Sequence, residues 1–351
     1  MNWMDFLKTS PVEWLLEEKD TPIRYHTLVD IIGVDPADLE IQRLKLELKR
    51  NSFVKKILNE QIEEGSWESS SNIYVPRYTA TVWFLNILAD FGLTLKNSPI
   101  KKAVNHVLKF QTEKGFFVAD LNDPSWVSPG FNGLLLRSLI KFNASEDEII
   151  KNAVWKGLNW LLKVQRYDGG WCDWSLKENK NYEAEFEEAH REEVLVKSSK
   201  MVETVNALSA LIEIPEFAKR PSIKSGGEFI LNHVLLEPEK MPHTEDYWAQ
   251  THIKELTYPQ FFYDHLKVAD ILTRTGYNLS DERLKKITEN ILSMQNDDGS
   301  WTLQRSLYVE NPPFAIDHNK KNLEFHIETV NLPSKWITLK ILRVLKKLSE
   351  K

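Results

Sequence analysis

The sequence predicts an all-α protein folded as a ring of paired helices. Two observations carry this. A short pattern (Gln, three residues, Gly, one residue, aromatic) occurs at Gln61–Gly65–Trp67, Gln111–Gly115–Phe117, Gln165–Gly169–Trp171 and Gln295–Gly299–Trp301. Self-similarity of this kind marks a repeat architecture. The glutamines are 50, 54 and 130 residues apart, so the last interval has room for two units, one of which has lost the pattern. The second observation is that helices with one apolar stripe alternate with helices that are apolar on nearly every face. A striped helix sits at a surface, whereas an all-round apolar helix is buried on several sides.

The N-terminal segment holds two short helices, near 11–18 and 22–32, with Ser10, Pro11 and Glu13 forming a start signal. Residues 41–60 follow as the first striped helix, and Thr81 to Ala89 as the first apolar one. In 98–111 the stripe is Ile100, Ala103, Val104, Val107 and Leu108, and Ser98–Pro99 opens the helix. Gly133 to Ile140 is the next apolar helix, and 148–165 the next striped one, with Ser145 and Glu148 as a capping box. Val202 to Ile212 is apolar, and 221–236 is the degenerate outer copy. Phe261 to Leu272 is apolar, and 281–295 carries Leu284, Ile287, Ile291 and Met294 on one face. Trp336 to Leu345 closes the series. Each clasp glycine falls just after a striped helix, where a left-handed C-cap is expected. Five such pairs, with the N-terminal helices as a sixth, make one domain over 1–351 in which residues 1–40 close the ring. A few β-ribbon residues fit in the long loops.

Two loops exceed simple connectors. Residues 173–198 carry Glu178, Glu183, Glu185, Glu187, Glu188, Glu192 and Glu193, and 302–332 carries Asn311, Phe314, Asp317 and His318. The acidic run reads as a solvated helix or a lid.

A net charge of −6, with Lys and Arg scattered among acids, argues against a nucleic-acid partner. The single cysteine, Cys172, allows no internal disulfide and no Cys-rich zinc site. It behaves as a small hydrophobe and fits a cytoplasmic location. No apolar run is long enough to span a membrane, and the start of the chain lacks the pattern of a signal peptide. Peripheral membrane association needs only an apolar patch.

The Gln-x-x-x-Gly-x-Trp (QxxxGxW) repeat resembles that of triterpene cyclases such as squalene–hopene cyclase, and the related repeats of protein prenyltransferase β-subunits. The resemblance covers about residues 41–348 and implies an (α/α)6 toroid. The segments around Arg24 and Trp336 look like those of squalene-cyclase-like prokaryotic proteins. In these families the Gln caps helix ends and the Trp stacks over it, so the clasp residues read as scaffold. The resemblance implies an isoprenoid, a hydrophobic small molecule, in a central aromatic cavity and isomerase or lyase chemistry.

The families' catalytic residues carry over poorly. The cyclases' Asp-x-Asp-Asp acid motif is absent. Its nearest string is Asp120-Leu-Asn122-Asp123, with Asn at the position of the middle acid. The prenyltransferases' zinc ligands have no match, so no metal and no cofactor is expected. That leaves a non-standard acid: Asp264 beside His265, or Asp120 or Asp123. If 261–265 is helical, Phe261, Asp264 and His265 share a face. The alternative is that Asp264 caps the helix, His265 packs in the core, and Asp123 merely starts a turn before Pro124.

Tyr78, Trp83, Trp126, Phe131, Trp174, Tyr258, Phe261, Phe262 and Trp336 are the candidate cavity wall, since aromatic faces stabilise cations by roughly 0.5–2 kcal/mol. Arg77, Lys200 and Lys335 sit near inner-helix starts, where an anion would bind. Alternatively Lys200 pairs with Glu203, and Lys335 is exposed. Two other functions suit the same ring. One is a carbohydrate-active lyase or hydrolase using Asp173 with Asp264 or Asp317 in an open groove lined by Trp platforms. The other is a non-catalytic lipid- or protein-binding toroid.

Overall fold

The computed structural model describes residues 2–176, 199–309 and 325–350. The acids Glu178 to Glu193 and the Asn311, Phe314, Asp317 and His318 cluster lie outside them.

Among the described residues the inner helices are Thr21–His26 continued by the π-turn Thr27–Ile32, then Thr81–Asp90, Pro129–Lys141, Met201–Leu211, His265–Arg274 and Lys335–Ser349. Every residue of Thr81–Asp90 and of Met201–Leu211 is buried, as all-round apolarity demands. From Thr81–Asp90 onward consecutive inner helices pack on one another, and Lys335–Ser349 packs on the first. The circuit is completed where His26 Nε2 lies 2.9 Å from the Asp90 carbonyl oxygen. The outer helices Ser52–Asn59, Ser98–Val107, Glu148–Lys163, Pro221–His233 and Glu282–Ser293 each bury one stripe. One apolar core runs from Trp3 to Leu348. The chain is an all-α (α/α)6 toroid.

The repeated pattern has a physical explanation. Trp67, Trp171 and Trp301 donate their indole Nε1–H to the carbonyls of Ile57, Leu161 and Ile291 at 2.7, 2.8 and 2.8 Å. Those carbonyls belong to last turns, where the regular i→i−4 donors run out. The same tryptophans donate their backbone N–H to Thr81, Thr204 and Thr338 of the following inner helix. Phe117 has no indole, and its backbone N–H goes instead to Asn132 at 2.7 Å. Each Gln donates twice: Gln61 to Gly65 and Pro99, Gln111 to Gly115 and Ala153, and Gln165 to Gly169 and Ser222. Pro99, Ala153 and Ser222 lie on the next outer helix, so every clasp ties one unit to its successor. Gln295 bonds to Gly299 and Thr9, which joins the last clasp to the start of the chain.

The clasp glycine is not the helix C-cap that its position suggested. In the second copy Thr112 N–H bonds to Phe116 and Gly115 N–H to Thr112, making a tight turn after the helix has ended. Gly115 sits at φ +104°, and a Cβ there would lie 2.7 Å from the Lys156 carbonyl oxygen. The missing fifth clasp is replaced by Gln250, whose amide donates to Val234 and Leu236 after Pro221–His233.

Local sequence misplaced several boundaries. The first outer segment breaks into Leu39–Glu47, Leu48–Arg50 and Ser52–Asn59, with Asn51 capping the last. Asp147, not Ser145, caps Glu148–Lys163, by accepting from Ile149 and Ile150. Pro11 stands at the N-cap of Val12–Leu15 with no side-chain bond. The ribbons are two-residue pairs: Trp126–Val127 against Trp174–Ser175, and Trp301–Thr302 against Pro333–Ser334.

Candidate functional site

At the N-terminal ends of the inner helices, the predicted aromatic residues meet one another. Tyr78 stacks on Phe261 with centroids 5.7 Å apart and planes 5° from parallel. Trp83 meets Phe261 edge-on at 4.8 Å and Tyr78 at 5.3 Å. Tyr74 joins Trp126 and Phe131 at 5.0 and 5.5 Å. Tyr258 stacks on Trp336 at 5.1 Å. These contact distances are those of packed ring pairs. Tyr78, Trp83, Phe131, Tyr258, Phe261 and Trp336 are all buried, so these rings pack on one another. Trp174 packs on Trp160 of an outer helix and Phe262 on Trp248.

The predicted acid–base pair is not assembled. Residues 261–264 precede the helix, so Phe261, Asp264 and His265 do not share a helical face. Asp264 is the N-cap. Its carboxylate accepts from Lys267 N–H at 2.7 Å, Thr257 N–H at 3.0 Å and Gln260 Nε2 at 3.1 Å. Burial raises its pKa above the ordinary value, and these donors offset only part of the rise. His265 turns toward the outer helix, with Nδ1 3.0 Å from Asn290 Nδ2. Burial, then Lys254 and Lys286, lower its pKa to about 4. Asp120 accepts from Asn72 Nδ2 at 3.0 Å and Asn122 N–H at 2.8 Å. Asp123 is exposed and turns onto Ser125, accepting from its N–H and Oγ.

The three cations near inner-helix starts are matched by acids. Lys200 Nζ is 2.7 Å from Asp173 and 3.6 Å from Glu245, and Arg77 is 3.7 Å from Glu245. Trp126 Nε1–H also donates to Asp173, at 3.1 Å. Lys335 is buried, not exposed, and meets Glu17 at 2.8 Å and Asp20 at 2.5 Å. Glu203 does not pair with Lys200. It accepts from Gly130 N–H at 2.7 Å and from Ser128 Oγ at 2.8 Å, and so caps the neighbouring inner helix.

Asp246 does the same for Met201 and Val202 at 2.8 and 2.9 Å, and Glu328 for Lys335 N–H at 2.8 Å. Burial pushes Glu203 upward and Asp246 up to about 7. Sequence inspection missed these caps because each carboxylate lies outside its helix, Asp246 by some 45 residues. No Trp is exposed among the described residues, and Asp173 and Asp264 are both engaged, while Asp317, the other acid considered for a glycan groove, lies outside them.

The open volume lies at the other end of the ring. A cavity of about 840 Å³ is lined where the six inner helices finish, and none of the sequence-predicted site residues lines it. Nine Lys and Arg side chains face it, against three acids. Its floor is organised by Asp90, at the end of Thr81–Asp90. That buried carboxylate meets Arg137 at 3.0 Å, Lys141 at 2.9 Å and Lys340 at 3.2 Å. Burial, followed by the charge of Arg137, lowers Lys141 to about 8, while the three cations hold Asp90 well below the carboxylate range. Arg274 pairs with Glu213 at 2.8 Å, and Arg343 with Asp30 at 2.9 Å through Nε. Lys45, Lys49 and Lys96 at the rim have no ion-pair partner among the described residues. The only hint in sequence was that three inner helices carry Lys or Arg in their last turns (Lys141, Arg274, and Lys346 with Lys347), which helix dipoles alone would favour.

The chain shows likeness to several known proteins. No curated protein matches it. A protein from Actinoplanes is similar in structure, with TM-score 0.42 and 10% identity over 94% of this chain and 90% of that one. The ent-copalyl diphosphate synthase from Streptomyces platensis gives 0.41 and 14% over 95% of this chain, which spans 50% of that enzyme. A type II terpene cyclase from Scytonema, solved with geranylgeranyl dihydroxybenzoate, gives 0.34 and 15% over 89% of this chain and 99% of that one. At these scores the likenesses bear on no functional claim. The squalene-hopene cyclase C-terminal domain model matches residues 130–318, more than half of the chain's 351 residues. With its glutamine–aromatic clasps and ring of helices, the chain belongs to the squalene-hopene cyclase C-terminal domain family.

Proposed function

We propose that this protein binds an isoprenoid small molecule at the mouth formed by the C-terminal ends of its inner helices, and that it does so without acid-initiated cyclisation by Asp264, Asp120 or Asp123. Family membership supports the ligand class. The carrying observation is the division of the lumen: rings pack on rings at one end, and about 840 Å³ lies open at the other. A volume of that size falls within the range of small-molecule sites. An acid that protonates an alkene must present a free O–H. Three donors already occupy the oxygens of Asp264.

The test is a thermal-shift panel of squalene, geranylgeraniol and geranylgeranyl diphosphate, with mass spectrometry of the extracts. Stabilisation by at least one isoprenoid and recovery of that compound unchanged is expected. No shift with any of them overturns the ligand class. A cyclised product that disappears in Asp264→Asn overturns the non-catalytic part.

A further inference from the structure

Squalene carries no charge, yet this cavity is strongly basic. The chain as a whole is at −6, whereas the lining holds nine Lys and Arg against Asp30, Glu213 and Asp270, with Asp90 as a fourth acid beneath. The six helix C-termini around it add the equivalent of about −0.5 each, roughly −3 in all. Nine positive charges exceed four acids and those dipoles together, so the mouth stays positive in an acidic protein.

The excess is arranged in depth. At the floor Asp90 meets three cations, Arg137, Lys141 and Lys340, of which only Arg137 has a second carboxylate, Glu213 at 3.5 Å. Lys141 and Lys340 are pushed below the usual lysine range, by burial first, so their charge is under-compensated even with Asp90 present. At the rim Lys45, Lys49 and Lys96 have no ion-pair partner among the described residues. Burying cations beyond their counter-charges is costly unless a ligand supplies the missing charge. Low-dielectric walls also focus the field of such a bowl on an incoming anion.

We infer that the C-terminal mouth of the ring is a binding site for a multiply charged oxyanion, a phosphate- or diphosphate-bearing small molecule, gripped by Lys141, Lys340 and Arg343 at the floor and drawn in by Lys45, Lys49 and Lys96 at the rim. The identity of the head group rests on the reading that this cavity is the ligand site. Lysine supplies a point charge and arginine a planar fork, and both suit phosphate oxygens.

Calorimetric titration in phosphate-free buffer tests this with three probes: inorganic pyrophosphate, geranylgeranyl diphosphate and geranylgeraniol. Pyrophosphate is expected to bind, with affinity falling as salt rises. The exposed pair Lys49→Glu with Lys96→Glu should weaken it roughly tenfold or more, while Lys101→Glu on an outer helix leaves it within about twofold. Lys340→Met should weaken it further. The rim pair keeps the test decisive if Lys340→Met fails to fold. Absence of pyrophosphate binding, or equal affinity in the rim variant, overturns the anion site. Equal affinity for geranylgeraniol and its diphosphate refutes the head-group inference and leaves the isoprenoid proposal standing. Pyrophosphate as tight as geranylgeranyl diphosphate, with no binding of geranylgeraniol, sinks the isoprenoid proposal and leaves the anion site.

Discussion

Gln295 and Lys8 are joined twice across 287 residues of chain. The Lys8 backbone N–H donates to Gln295 Oε1 at 2.8 Å, and Lys8 Nζ donates to the Gln295 carbonyl at 2.9 Å. Gln295 Nε2 also reaches the Thr9 carbonyl, at 3.2 Å. The residue that ties one unit to the next in the earlier clasps here ties the end of the chain to its beginning.

Gln295→Leu should therefore cost more than Gln61→Leu. Gln61 makes two bonds through its amide, whereas Gln295 also accepts from Lys8. At roughly 1 kcal/mol per bond, losses of about 3 and about 2 kcal/mol are expected in urea melts. Limited proteolysis should cleave within residues 2–10 sooner in Gln295→Leu alone. Equal behaviour of the two variants would show that the terminal clasp carries no closing role.

Gly115→Ala and Gly276→Ala separate two costs of a β-carbon. Both glycines have positive φ, +104° and +106°. At Gly276 nothing lies within 4 Å, so only the left-handed conformation is penalised, by about 1 kcal/mol. At Gly115 the new atom would press on the Lys156 carbonyl at 2.7 Å, and the total should be at least about twice as large. Denaturation midpoints of the two variants check the difference.

Tyr308→Phe should destabilise the aromatic cluster without emptying it. Tyr308 Oη–H donates to the Tyr78 carbonyl at 2.8 Å, and Tyr78 holds φ +74°, unusual for a bulky residue. Removing the hydroxyl takes a donor from a buried carbonyl, at a cost of about 1–3 kcal/mol. A loss below about 0.5 kcal/mol in chemical denaturation would mean that the bond does not hold Tyr78 in place.

Asp246 predicts a pH slope. In the folded protein burial holds its pKa at about 7, against an ordinary value of 3.8. Folding therefore takes up a proton between those values. Its contribution to stability is complete below about pH 4 and is lost as pH rises through 7. Asp246→Asn removes this titration while weakening one of the bonds to Met201 or Val202. Urea melts at pH 4, 5.5 and 7.5 should show a shallower decline in the variant. A parallel decline would assign the slope to other groups.

The ring of helices was legible because its causes are local and repeated. A glutamine, a glycine and an indole at constant spacing satisfy the orphan carbonyls of one helix and pin the next, whatever the side chains between. Alternating apolar stripe and apolar surface then sorts outer helices from inner ones. Phe261 and Asp264 mark where this logic stopped. Their apolar neighbourhood continues the helical pattern, but the Asp264 cap starts the helix at His265, four residues after Phe261, so Phe261, Asp264 and His265 never share a helical face.

From residues alone come the toroid, its clasps and the absence of both the cyclase acid motif and a cysteine-based metal site. Tertiary packing decided whether the aromatic residues would line a chamber or fill it, because a ring's partner is set by which helices face each other, not by its neighbours in sequence. Packing also gathered Asp90, Arg137, Lys141 and Lys340, up to 250 residues apart, at one mouth. Charge adds up over distance in space, so a basic basin in an acidic chain emerges only once the helices have closed the circle.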